Sequence, residues 1–160
     1  MNNNMNEQNI ITQLDKELLY TDLCARLPYG VMVREDTVIY DEYNTTSFRL
    51  KKLNYVLIGK GFSVIKGFMH DYEYIYRPYL FPMSSMTEEQ KQEYSYIVNY
   101  LSPDDTGNWQ EGEFVYVGGQ MTQLLHFFHK NHLDYRGLIP MGLAIDATGL
   151  KIYNHESKNY

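Results

Sequence analysis

Strand-forming residues crowd the middle of this chain while helical spacing is confined to its flanks, and that segregation most constrains the fold. Val31-Met32-Val33 and Thr37-Val38-Ile39-Tyr40 are β-branched runs separated by Arg34-Glu35-Asp36, a pattern that reads as a β-hairpin turning at the charged triplet. From Phe48 to Tyr79, Val, Ile, Tyr and Phe recur between Gly59, Gly61 and Gly67, which fits two or three further strands. Hairpin signals dominate and alternating βα units are missing. The expectation is an α+β domain with about three helices packed on an antiparallel sheet of four to six strands.

The helices announce themselves by caps and stripes. Thr12 followed by Asp15 resembles an N-cap with an acid in the first turn, and Pro28 stops the run, predicting a helix over 12–27. Tyr20, Leu23, Cys24 and Leu27 recur at helical spacing, placing the lone cysteine on a buried stripe. Thr87 and Gln90 stand in capping-box register ahead of a helix over 88–101, and Ser102-Pro103-Asp104-Asp105 ends it. Met121, Leu124, Leu125 and Phe128 predict a third helix over 119–132, with Phe114-Val115-Tyr116-Val117 as a short strand or its lead-in. Between strands and helices, Arg77-Pro78-Tyr79-Leu80-Phe81-Pro82-Met83 reads as an extended connector. Residues 1–9 are an Asn-rich tail expected to be disordered, 10–155 form the domain, and 156–160 form a frayed end.

A formal charge of −6 opposes the attraction that supplies most non-specific nucleic-acid affinity, so no direct nucleic-acid partner is expected. Lys51, Lys52, Lys60 and Lys66, interleaved with Tyr55, Phe62 and Phe68, are instead taken as charges that protect sheet edges. One cysteine excludes an intrachain disulfide, and no long apolar run or leader pattern is visible, so a cytoplasmic protein without a membrane partner is expected. Sixteen tyrosines suit a recognition face, because each ring carries a polar hydroxyl at its end.

Chemistry-bearing residues gather at His126, His129, His132, Asp134, Tyr135 and Arg136. Successive histidines at i, i+3 span about 120° of helical arc, with His126 and His129 rotating toward solvent and His132 at the carboxyl end. Asp134 is a conceivable orienting carboxylate, and Gly137 and Gly142 are natural sites for a left-handed backbone. Arg136 is expected to lock onto Asp134 or a helix end. No HExxH, GxSxG or P-loop completes a catalytic pattern, so no catalytic, cofactor or metal residue is assigned. Trp109, in a polar loop, is a further candidate contact.

Three blocks, Leu23-Cys24-Ala25-Arg26-Leu27-Pro28-Tyr29-Gly30-Val31, Arg77 to Glu89 and His132 to Ala144, resemble a family of uncharacterised proteins of gut Bacteroides-type bacteria and their prophages or mobile elements. The resemblance implies a cytoplasmic, phage-associated accessory protein and transfers no catalytic residue. The leading functional expectation is a non-enzymatic module that binds a protein partner through a Tyr-rich face or the corner from His126 to Arg136. Its rivals are a small metal-assisted hydrolase using the His126 to Asp134 region and an acidic inhibitor of a nucleic-acid enzyme.

Overall fold

A computed structural model describes residues 11–39, 44–60, 65, 71–99 and 113–153. The order is α1 (Gln13–Arg26), β1 (Met32–Ile39), β2 (Asn44–Lys52), α2 (Tyr55–Lys60), β3 (Tyr72–Leu80), α3 (Glu88–Asn99), α4 (Glu113–Lys130) and β4 (Ile145–Asp146), with 3-10 turns at Leu27–Tyr29 and Met83–Ser85. The strands form one sheet in the order β2-β1-β3-β4. The α+β class holds. The sheet, however, is mixed, because β1 runs antiparallel to β2 and β3 whereas β4 runs parallel to β3.

The caps form as their residues dictate. Thr12 Oγ1 accepts from the Asp15 amide while Asp15 accepts from the Thr12 amide, a reciprocal box that satisfies two helix-end donors. Thr87 and Gln90 do the same for α3. The phase of α1 departs from the apolar stripe: Leu19, Asp22, Leu23 and Arg26 are buried, whereas Tyr20 and Cys24 are exposed. The spacing is the same, shifted by one residue, because an ion pair occupies two of the inward positions.

Arg34-Glu35-Asp36 is no turn. It lies inside the uninterrupted β1, which pairs with β2 from Met32↔Lys52 to Ile39↔Asn44 across one register irregularity at Asp36 to Val38. The charges are tolerated because each is compensated: Glu35 accepts from Lys51 Nζ at 2.6 Å and from the Tyr76 hydroxyl at 3.0 Å, and Asp36 pairs with Arg34 and Arg77. Lys51 is therefore an internal counter-ion as well as an edge residue. Among the described residues, the region from Phe48 holds the rest of β2, the short α2, in which Gly59 lies, and β3, with Ile65 bridging Tyr72. Lys66, Phe62 and Phe68 lie outside the described residues.

The Arg77–Met83 segment is extended as expected, but Arg77 to Leu80 are the end of β3, an inner strand of the sheet, and only Phe81 and Pro82 connect it to the 3-10 turn at Met83. Glu73 and Ile75 point to one side of β3 and Tyr76, Pro78 and Leu80 to the other, and all five are buried, so both faces of the strand are covered. Tyr72, Tyr74 and Tyr76 form a ladder with ring centroids 5.6 and 6.5 Å apart, and its last member is almost wholly enclosed. Burial, followed by the bond to Glu35, raises the Tyr76 phenol above its ordinary pKa.

Two apolar clusters result. The larger joins α1, β1, β3 and the 138–144 turns through Leu19, Leu23, Val33, Ile75, Leu80 and Leu138. The smaller joins α3 and α4 through Ile97, Phe127, Phe128 and Leu133. Phe114 to Val117 belong to α4 rather than to a strand. The end of β3 ties the clusters together: Phe81 bridges Leu133 in parallel, its amide donating to the His132 carbonyl at 2.9 Å. Tyr153 adds a clasp, donating to the Tyr79 carbonyl at 2.7 Å and accepting from the Met32 amide at 3.1 Å.

Candidate functional site

The site is built outward from the last turn of α1. Asp22 and Arg26, four residues apart, lie side by side on that helix, and both are fully buried. Arg26 Nε donates to Asp22 Oδ2 at 2.7 Å, and its Nη2 donates to the Leu133 carbonyl at 2.9 Å. A planar guanidinium can serve both acceptors at once, which ties α1 to a loop 107 residues away in sequence. Arg136 approaches from that loop, its Nε 3.2 Å from Asp22 Oδ1.

The loop owes its course to the way α4 stops. His132 takes a left-handed backbone with φ of 51°, its amide bonds the His129 carbonyl and the Leu133 amide bonds the Phe128 carbonyl. This is the paired closure of a Schellman cap, with histidine at the position glycine usually fills. The cap turns His132 away from the other histidines, and its ring stacks on Tyr153 with centroids 4.0 Å apart. Asp134 then accepts from the Leu138 and Ile139 amides, both at 2.8 Å, so its carboxylate organises the next turn. Gly137 and Gly142 both have positive φ, as their positions suggested.

Tyr135 is the hub. Its ring stacks on Phe128 at 4.8 Å and 9°, with the guanidinium carbons of Arg26 and Arg136 5.5 and 5.0 Å from its centroid. Its hydroxyl accepts from Arg136 Nε and lies 3.0 Å from His129 Nε2. His129 is buried, not solvated, and its pKa falls to about 4. Loss of hydration is the main cause; the neighbouring Arg26, Arg136 and His126 side chains lower it further against the pull of Asp22. The imidazole is thus neutral near pH 7, and because the Tyr135 oxygen already accepts from Arg136, its O–H is left to donate a hydrogen bond to Nε2.

Beyond His129 the corner opens into a cleft between α3 and α4. Tyr29, delivered by the 3-10 turn after α1, sets its ring 5.4 Å from both His126 and His129, with its hydroxyl 2.9 Å from His126 Nδ1. The cleft holds about 540 Å³, and Tyr29, Glu93, Tyr96, Ile97, Leu125 and His126 line most of it. That volume is within the ordinary range of ligand pockets, roughly 300–1,000 Å³. Tyr96 and Leu125 are 64% and 39% exposed, an apolar opening at the surface.

His129, Tyr135 and Arg136 therefore come together, with Asp134 holding the adjacent turn and His126 joining through Tyr29. His132 points elsewhere, and Trp109 lies outside the described residues. Arg136 locks onto Asp22 rather than Asp134, whose oxygens are taken by backbone amides. Among the described residues, no three His, Cys, Asp or Glu side chains are placed to hold a metal ion. Sequence reasoning passed over Asp22, Arg26, Tyr29, Glu93 and Tyr96; the i, i+4 acid and base at 22 and 26 were the available signal. No protein-family model, curated protein or solved structure matches this chain.

Proposed function

We propose that this chain is a non-enzymatic binding module that holds a protein partner at the cleft between α3 and α4. The observation that carries the reading is the cleft itself: an opening of about 540 Å³ with exposed Tyr96 and Leu125 at its mouth. Exposed aromatic and aliphatic side chains beside a preformed recess suit an anchoring side chain from another protein. The corner behind it supplies rigidity. His129 on the inner wall is held by the Tyr135 hydroxyl, which in turn accepts from Arg136 Nε beside Asp22, and this fixes the wall in one arrangement before any partner arrives. On the resemblance of its three blocks, the module belongs among the cytoplasmic accessory proteins of prophages or mobile elements.

The test is capture from a host-cell lysate followed by reconstitution from purified components. A specific partner forms a stoichiometric complex with the purified chain, survives Leu14→Asp on the exposed face of α1 and is lost with Leu125→Asp. Leu14 is 77% exposed and lies outside the cleft, so it controls for added surface charge. A complex indifferent to Leu125→Asp, or no complex at all, contradicts the reading.

A further inference from the structure

The residues that line the cleft also select what can enter it. Among the described residues, Glu93 is the only carboxylate in the lining; it is solvent-exposed and forms no ion pair there. It is followed one turn later on α3 by Tyr96 and Ile97, so the helix presents a negative head and then an apolar wall. Glu89 precedes Glu93 by four residues and extends the same negative strip toward the start of α3. Opposite stand Leu125 and Thr122 of α4, with Tyr29 and neutral His129 at the inner end.

Charge is graded along this recess. Behind His129 two guanidiniums, Arg26 and Arg136, share the one carboxylate of Asp22, so the inner end carries a positive surplus. The rim carries the carboxylate. A small bare cation would be repelled from the depth and poorly held at the rim, where water screens the attraction. A side chain that lies across the cleft mouth, rather than entering head first, fits both ends of the gradient: its apolar stem packs along Tyr96, Ile97 and Leu125, and its terminal cation stays beside Glu93 at the rim. The chain's charge of −6 favours approach of a basic partner in the same sense.

We infer that the cleft is a receptor for an arginine or lysine side chain on a basic segment of the protein partner. This rests on the binding-module reading above and adds the chemistry of the ligand. A fork-shaped guanidinium can bond both oxygens of Glu93, so arginine is favoured over lysine.

The test titrates the full chain, labelled with ¹⁵N, with n-butylguanidinium and with its neutral isostere n-butylurea, following amide shifts. The expected result is saturable movement of amides at 93–97 and 122–126 with the cation, and binding of the urea weaker by about 2- to 5-fold. Glu93→Gln weakens the cation by about 2- to 5-fold, whereas Glu88→Gln, whose carboxylate pairs with Lys91 outside the cleft, does not. Equal binding of cation and urea, no saturable shift, or indifference to Glu93→Gln overturns the inference. Failure here together with a partner still lost on Leu125→Asp leaves the binding module standing and removes only its preference for a cation.

Discussion

Asp22→Ala removes the carboxylate that faces Arg26 while leaving the guanidinium fully buried. Arg26 keeps one bond, from Nη2 to the Leu133 carbonyl, and its Nε loses an acceptor at 2.7 Å. An uncompensated buried charge of this kind costs about 3–5 kcal/mol. The contact of Asp22 with Arg136, which is 30% exposed, adds less than about 1 kcal/mol. Against a domain stability of about 5–15 kcal/mol, the loss is large but survivable. With a urea slope of about 2 kcal/mol/M, the unfolding midpoint falls by about 1.5–2.5 M. The double variant Asp22→Leu with Arg26→Met removes both charges, leaving the Leu133 carbonyl without its donor at a cost of about 1–2 kcal/mol. It should therefore be more stable than Asp22→Ala alone. Urea unfolding of the three proteins, followed by far-UV circular dichroism, measures both differences. A midpoint change below about 0.5 M for Asp22→Ala, or a double variant worse than the single, would refute the reasoning that Asp22 compensates the buried charge of Arg26.

Three other outcomes follow from the same geometry. His129 has a folded pKa of about 4 against 6.5 when unfolded, so the unfolded chain binds more protons between these values. Its contribution is fully present above pH 6.5 and is lost as pH falls toward 4; the difference in stability between pH 7 and pH 4 should shrink by about 2–3 kcal/mol in His129→Gln relative to wild type. Asp134→Ala leaves the Leu138 and Ile139 amides without their acceptor, costing about 2–3 kcal/mol and lowering Tm by roughly 5–10 °C in thermal melts. Cys24 is exposed on α1, so a thiol reagent should label the native protein stoichiometrically within minutes; protection until denaturant is added would mean that the apolar stripe, not the ion pair, sets the phase of the helix.

Local signals carried the elements further than they carried the site. The boxes at Thr12 with Asp15 and Thr87 with Gln90 depend on residues three apart, and both formed as their spacing implied. The α+β class followed from the central run of strand formers. What misled was charge. Hydropathy placed Tyr20 and Cys24 inward on α1, and only the pairing of Asp22 with Arg26 explains why the neighbouring stripe is buried instead. Arg34-Glu35-Asp36 looked like a turn because its counter-ions, Lys51 and Arg77, arrive from other strands. In the same way His129 looked solvated until Tyr135, six residues on, was folded back beneath it by the cap at His132. The contact between Tyr29 and His126 spans 97 residues, and no local pattern encodes it.

The most direct test of the binding surface is amide hydrogen exchange of the chain alone and in its reconstituted complex. A partner seated in the cleft adds protection only at 93–97 and 122–129, its two helical walls, and leaves the β2 edge at 44–52 unchanged. Protection gained along β2 while the cleft exchanges as before would place the partner on the sheet edge and contradict the central claim.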